Sequence, residues 1–237
     1  MTTGKMLPMK VKVLTIFPEM FPGFLGYSLT GKALDQGLWS LEAVNIRDYA
    51  FDKHGSVDDT PCGGGAGMIM RPDVLGTALK ANYDGGRLIY MSPRGEPLTQ
   101  AKVHELSRVE NMTVICGRFE GIDERIIDAY NIEEVSIGDY ILTGGEQAAM
   151  IMLDAVVRLL PGVLGNSEST ENESFENGLL EYPQYTRPVV WDGREVPEVL
   201  LSGHHQNIAR WREEKAIEIT KRKRPDLLKK YLDSKKV

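Results

Sequence analysis

Three glycine-bearing loops contain the residues best suited to binding a small ligand through backbone groups. Each loop directly follows a predicted strand, and together they comprise residues 91–95, 117–121 and 138–146. Ligands of α/β proteins collect outside the carboxyl ends of parallel strands, where glycine lets the backbone come close to them. One such loop is weak evidence because ordinary turns also use glycine, but three of them indicate a binding site.

A fourth loop, residues 57–68, contains Gly63, Gly64, Gly65 and Gly67. This glycine content exceeds what a turn between two elements needs. Loops of this length usually close over a bound molecule. We therefore expect this segment to act as a lid beside the ligand.

Several better-known chemical motifs are absent or incomplete. The frame Gly-x4-Gly-Lys occurs at residues 26–32, but Ala33 replaces the hydroxyl residue that would hold magnesium, and Pro22 separates the frame from the nearest strand. No Gly-x-Gly-x-x-Gly follows a predicted strand, and neither Gly-x-Ser-x-Gly nor His-Glu-x-x-His occurs. Adjacent His204 and His205 cannot share a helix face as a metal pair. These observations disfavour nucleoside triphosphatases, Rossmann enzymes, serine hydrolases and zinc proteases.

The glycine-bearing loops require a sheet whose strands end side by side. Short β-branched segments predict five strands, at residues 10–17, 41–46, 87–91, 112–116 and 133–137. Helical patterns lie between and after them, at residues 28–36, 71–82, 99–108, 122–130, 146–160, 206–221 and 226–235. Strands that alternate with helices predict an α/β body with a largely parallel sheet. The clearest helix is 146–160, whose predicted buried face consists of Ala148, Ile151, Met152, Ala155, Val156 and Leu159.

The composition is that of a globular protein with its own core. The 237 residues are 42% apolar, and no window approaches the roughly 18 consecutive apolar residues of a membrane span. The first residues show no secretory signal, so the cytoplasm is the expected compartment. Cys62 and Cys116 form no metal-type pattern and are expected to be reduced.

Charge is distributed unevenly along the chain. The net charge is −6, but residues 204–237 hold 11 basic and 5 acidic residues, which leaves −12 on the rest. A basic segment on an acidic body suits nucleic acid, although two solvated amphipathic helices would give the same count. Residues 162–181 contain five Glu and no basic residue, and predict a flexible linker. We therefore expect an α/β domain at 1–161, this linker at 162–181, and a small basic helical domain at 182–237.

Six sequence blocks carry a family resemblance when they are taken in order. They are residues 17–21, 57–59 with 63–65, 116–125, 136–146, 161–165 and 185–188. Over nearly the whole chain they resemble the TrmD family of bacterial tRNA (guanine-N1)-methyltransferases, which act at position 37 beside the anticodon. The resemblance implies a SPOUT-type body with a trefoil knot, a helical C-terminal domain, and a homodimer with the active site at the subunit interface. Neither periodicity nor composition indicates the knot.

The resemblance also implies that S-adenosylmethionine, as the methyl donor, binds to the three glycine-bearing loops. The residues expected to contact it are Tyr90, Met91, Ser92, Pro93, Gly117, Phe119, Glu120, Gly121, Ile137, Gly138, Asp139, Tyr140, Ile141, Leu142, Gly144 and Gly145. No metal site can be read from the sequence, and magnesium is retained as a candidate cofactor without a dedicated site.

Methyl transfer to N1 of guanine requires a base for the N1 proton and a hydrogen-bond donor for the charge on O6. The resemblance assigns the first role to Glu173, where the family has Asp, with Glu171 as the alternative. It assigns the second role to Arg158. Glu173 could instead be one more solvated acid of the linker, and Arg158 could form a helix-surface pair with Asp154.

The resemblance implies that tRNA is the partner. The candidate RNA contacts are Asp58, Asp59, Gly63, Gly64, Arg210 and Arg212, with the arginines acting on phosphates. Trp211 could stack on RNA or pack in the core. Cys62 and Phe119 stand where many relatives have Tyr, so any role of those hydroxyls is absent.

Two alternatives stay open. The same fold could methylate another RNA base or a ribose hydroxyl. The protein could also bind RNA without catalysis.

Overall fold

The computed structural model describes residues 7–164 and 173–235. The chain divides into two compact units, Met1–Gly165 and Asn166–Val237. The division lies inside the segment that the sequence predicts as a linker. Residues 165–172, which include Glu171, lie outside the described residues.

Nine strands occur in the described part of the chain. They are β1 (Met9–Thr15), β2 (Trp39–Asn45), β3 (Asp58–Asp59), β4 (Ile69–Met70), β5 (Arg87–Pro97), β6 (Asn111–Cys116), β7 (Glu133–Ser136), β8 (Val190–Trp191) and β9 (Arg194–Glu195). Five of them form one parallel sheet in the order β2-β1-β6-β5-β7. The predicted α/β class with a parallel sheet is therefore confirmed. The pairs β3–β4 and β8–β9 are short, antiparallel and unpredicted.

Eight α-helices accompany these strands in the same residues. They are α1 (Ser28–Asp35), α2 (Pro72–Asn82), α3 (Gln100–Leu106), α4 (Glu124–Tyr130), α5 (Gly145–Val157), α6 (Glu198–Leu201), α7 (His205–Lys223) and α8 (Pro225–Ser234). Thr99 caps α3, because its side chain accepts a backbone N–H of the first turn. Pro72 and Pro225 occupy the first turns of α2 and α8, where a missing N–H costs nothing. No helix in the described ranges is long and apolar enough to cross a membrane.

The sheet contributes side chains to two buried clusters. Val13 and Leu14 of β1 enter different clusters, as do Val114 and Ile115 of β6, because side chains alternate along a strand. Residues of α1, α3 and α5 pack in one cluster, and residues of α2 and α4 pack in the other. Both faces of the sheet are therefore covered, which leaves the strand ends for ligand binding.

Two predictions about these elements are wrong. β5 does not end at Met91 but continues to Pro97, and residues 92–95 form a bulge because Met91 and Glu96 both align with Val135 of β7. The predicted face of α5 also fails at Ile151, whose exposed fraction is 44%. The other predicted elements are present, with ends shifted by one to a few residues.

Candidate active site

One cavity lies where β5, β6 and β7 meet the three glycine-bearing loops. It is lined by fifteen of the sixteen residues predicted to contact the ligand, and Asp139 is the exception. The lining residues that prediction missed are Arg118, Val135, Ser136, Thr143 and Ala148. The three loops are thus brought to one place, while the ligand that they bind stays a prediction.

Two glycines permit close contact between two of these loops. The backbone N–H of Gly145 donates to the carbonyl of Gly117 over 2.9 Å. A Cβ at Gly145 would lie 2.9 Å from Cα of Cys116, and a Cβ at Gly117 would lie 2.7 Å from the ring of Tyr90. Any larger residue would push these segments apart, so the spacing of the cavity walls depends on glycine.

A buried ion pair joins the same two loops. Nε of Arg118 donates to Oε2 of Glu146 over 2.8 Å, and its Nη1 donates to the carbonyl of Thr143 over 3.2 Å. Oε1 of Glu146 accepts from the hydroxyl of Thr15, at the end of β1, over 2.7 Å. The Arg118 guanidinium also lies 4.5 Å from the centre of the Phe17 ring. Glu146 is fully buried, and its charge is stabilised by these partners.

Burial keeps two side chains beside the cavity protonated. The pKa of the Cys116 thiol is raised well above its usual value, chiefly by burial and further by the negative charge of Glu146. Burial also raises the pKa of the Tyr90 phenol. Because the thiolate and the phenolate are the reactive forms, neither group is suited to act as a nucleophile at neutral pH. These side chains therefore shape the cavity rather than react in it.

The glycine-rich lid segment is anchored to the wall of the cavity. The backbone N–H of Met70 donates to the carbonyl of Gly121, and that of Glu120 donates to the carbonyl of Met68, each over 2.9 Å. Gly67 packs so closely on the Glu120 side chain that a Cβ there could not fit without a shift. The segment expected to act as a lid therefore ends against loop 117–121.

The candidate RNA contacts in this segment lie in the first unit, which also contains the cavity. Asp58 and Asp59 form β3 and pair with β4. Gly63 and Gly64 are exposed and have φ angles of +91° and +81°, which favour glycine. Cys62 is exposed and Cys116 is buried, and both are free, as predicted. Contact of these residues with RNA stays a prediction.

The two predicted catalytic residues belong to different units. Arg158 is half-buried and forms the C-terminal cap of α5, where its backbone N–H donates to the carbonyl of Asp154 over 3.2 Å. Glu173 is half-buried in the C-terminal unit and lines a groove there with Arg212 and Tyr231. Their catalytic roles stay predictions.

The basic candidates lie on α7. Arg210 and Arg212 are exposed, and the Arg212 guanidinium lies 4.8 Å from the centre of the Tyr182 ring. Trp211 is half-buried, with its ring centre 6.2 Å from that of Tyr185. Trp211 therefore packs within its unit while part of its surface stays accessible. Among residues 7–164 and 173–235, no group of three His, Cys, Asp or Glu side chains is arranged to hold a metal ion.

Comparison with known proteins identifies the family. A family model described as tRNA (Guanine-1)-methyltransferase TrmD matches residues 9–230. The chain belongs to the TrmD family. The resemblance stated from the sequence blocks is therefore confirmed, and the matched range includes both Arg158 and Glu173.

Relatives from three bacteria show how far the similarity extends, and each is named tRNA (guanine-N(1)-)-methyltransferase. The protein of Bartonella henselae is 62% identical over 222 residues, which cover 94% of this chain and 96% of the relative. The protein of Rhodospirillum rubrum is 58% identical over 227 residues, which cover 95% of each chain. The protein of Ruegeria pomeroyi is 56% identical over 230 residues, again 95% of each chain.

The buried ion pair predicts that neutralising Glu146 lowers the free energy of unfolding more than neutralising an exposed glutamate does. Glu146→Gln should lower the free energy of unfolding by about 3 kcal/mol, because Arg118 loses its buried counter-charge. Glu124→Gln removes a pair whose two side chains are each 59% exposed, and should cost less than about 1 kcal/mol. Urea unfolding of the two variants measures the difference. An equal loss in both would contradict the structural role of Glu146.

Proposed function

We propose that this protein transfers a methyl group from S-adenosylmethionine to N1 of the guanine at position 37 of tRNA, next to the anticodon. The proposal rests on one combination: membership of the TrmD family and a single cavity at the strand ends that gathers the three glycine-bearing loops. The relatives are named tRNA (guanine-N(1)-)-methyltransferase, which supports the methylated atom but specifies neither the donor nor the position in tRNA. In this proposal, residues 1–161 bind the donor, 162–181 link the domains, and 182–237 bind tRNA.

The cavity suits an adenine base and a methionyl tail. Its glycine loops offer backbone N–H and carbonyl groups, and Met91, Ile137 and Leu142 supply apolar surface. A Cβ at Gly117 or Gly145 would crowd the neighbouring wall. When bound, S-adenosylmethionine supplies a sulfonium-activated methyl group. We assign magnesium no site.

The proposed chemistry assigns one task to each catalytic residue. Neutral guanine carries a proton on N1, so a base must accept that proton as the methyl group arrives. The carboxylate of Glu173 is assigned this role. The guanidinium of Arg158 is assigned the donation of a hydrogen bond to O6, where negative charge develops.

A homodimer with shared active sites is part of the proposal. α5 begins at the cavity with Gly145 and ends before Arg158, and its 13 residues span roughly 20 Å. This length exceeds the reach of an arginine side chain, so the arginine at one cavity would come from the second subunit. The cavity rim exposes Phe119, Tyr140 and Ile141, and Ile141 is 79% exposed. A second subunit covering this apolar rim would bury it. The proposal also includes a trefoil knot formed by the three loops. It places the protein in the cytoplasm, where tRNA is found.

The activity can be tested with two tRNA transcripts, one with guanosine and one with adenosine at position 37. With methyl-labelled S-adenosylmethionine, we expect label only in the first transcript and 1-methylguanosine on nucleoside mass spectrometry. Label in both transcripts, or in another nucleoside, would mean that the protein methylates a different base. If tRNA bound without any incorporation of label, the protein would be an RNA-binding protein and not a methyltransferase.

The base can be tested by neutralising neighbouring acids. Glu173→Gln should lower kcat by about 100-fold or more, with little change in KM for either substrate, because a general base contributes that much to proton transfer. Glu176→Gln, in the same acidic segment, is the matched control and should keep kcat within about twofold, since it has no assigned role. Equal kcat values in both variants would remove Glu173 from the mechanism.

The shared site can be tested with a heterodimer of two inactive subunits. One subunit carries Arg158→Ala, and the other carries Leu142→Trp, which fills the cavity from its rim. A purified heterodimer should recover about half of the wild-type activity, because one of its two sites combines an intact cavity with an intact arginine. If Arg158 served the cavity of its own subunit, the heterodimer would be inactive.

A further inference from the structure

The C-terminal unit, to which the proposal assigns tRNA binding, contains a concave surface separate from the groove that Glu173 lines. We call it the aromatic groove, and its walls are formed by Tyr182, Tyr185, Arg187, Leu201, Trp211 and Arg212. It lies between the segment before β8 and the helices α6 and α7, wholly within the C-terminal unit.

Two aromatic rings of the groove pack against each other, and one of them, Tyr185, is exposed. The rings of Tyr185 and Trp211 lie 6.2 Å apart at an angle of 58°, and Tyr185 is 48% exposed. The Tyr182 ring is covered on one side by the guanidinium of Arg212, 4.8 Å from its centre. A planar ligand can therefore stack on Tyr185 without displacing the other rings.

The charged side chains that line the groove are both arginines. No carboxylate is among its lining residues, whereas both Arg187 and Arg212 are. Within residues 7–164 and 173–235, neither guanidinium forms an ion pair, although Arg194 of the same unit is paired with Asp192 over 2.6 Å. Two uncompensated cations beside an exposed ring suit an anion attached to a flat group.

The groove is preformed rather than assembled by its ligand. The backbone N–H of Leu180 donates to the hydroxyl of Thr220 over 2.9 Å, which fixes the segment before the groove to α7. Thr220 is fully buried, and its hydroxyl also donates to the carbonyl of Ala216 over 2.7 Å. The backbone N–H of Val196 donates to the carbonyl of Val189 over 2.9 Å and closes the β8–β9 hairpin. Little ordering is needed on binding, which favours affinity.

We propose that the aromatic groove binds one unpaired nucleotide of the RNA substrate. The base stacks on the exposed face of Tyr185, and the adjoining phosphates are held by Arg187 and Arg212. Aromatic faces combined with arginine are the usual means of binding single-stranded RNA. The inference rests on the proposed function for the identity of the RNA, and it adds a nucleotide site distinct from the methylated guanine.

Two substitutions separate stacking from phosphate binding. Tyr185→Leu should weaken binding of the tRNA transcript by about fivefold or more at every salt concentration, because it removes stacking and leaves charge unchanged. Arg187→Gln should weaken binding mainly at low salt and lower the slope of log Kd against log salt by about 1. Arg194→Gln is the matched control, whose charge is already paired, and it should leave the slope unchanged. Filter binding between low and high sodium chloride measures all three.

Fluorescence tests the groove without methyl transfer. In a Trp191→Phe protein the remaining tryptophans are Trp211 and Trp39, which is fully buried in the first unit. A single-stranded RNA pentamer should quench Trp211, Tyr185→Leu should abolish the quenching, and a duplex of the same length should not quench.

The outcomes distinguish this inference from the proposed function. Quenching by the pentamer in a protein that methylates no tRNA would support the groove and overturn the function. Methylation with wild-type tRNA affinity in Tyr185→Leu, and no quenching, would overturn the groove alone. Quenching by a peptide but not by RNA would also overturn it.

Discussion

A carboxylate without access to water is the constraint on which the first unit depends. Glu146 is fully buried, and its two carboxylate oxygens are bonded by the Thr15 hydroxyl and the Arg118 guanidinium. Thr15 and Glu146 are 131 residues apart in sequence. One buried group therefore fixes the end of β1, the loop after β6 and the start of α5 relative to one another. The cavity lies between the last two of these segments, so its width depends on this ion pair.

The same constraint explains why glycine is required at particular positions of the loops. A Cβ at Gly144 would overlap the Arg118 side chain, so the guanidinium occupies the space that a larger residue would need. The contact between Gly145 and Gly117 then brings the two cavity walls together. At these sites glycine supplies room for an ion pair and for close backbone approach. Conformational freedom is the reason only where φ is positive, as at Gly63 and Gly64.

The sequence allowed the strand ends and their loops to be predicted because both signals are local. Alternation of apolar residues and the position of glycine do not depend on distant contacts. The burial of Glu146 could not be predicted in this way, since an acid in the first turn of a helix is usually a solvated partner of the helix dipole. The bulge at residues 92–95 was missed because Pro93 and Gly95 resemble a strand end, whereas pairing with β7 continues beyond them. Ile151 follows the apolar pattern of α5 and is nevertheless exposed, because a pattern does not say which neighbour covers a face.

Glu173 illustrates how substrate docking and chemistry are connected in the proposed reaction. Glu is one methylene longer than the Asp of the family, yet a base must still come within about 2.6–3.2 Å of its proton. The segment after Glu173 is closed by its own hydrogen bonds, from the Phe175 N–H to the Leu179 carbonyl over 2.8 Å and from the Glu181 N–H to the Ser174 hydroxyl over 3.0 Å. Leu180 joins this segment to α7. The carboxylate is therefore carried by the unit that holds the basic helices, which the proposal assigns to tRNA binding. In the proposed reaction, proton removal would therefore require correct docking of tRNA on this unit, and that requirement would couple the choice of substrate to the chemical step.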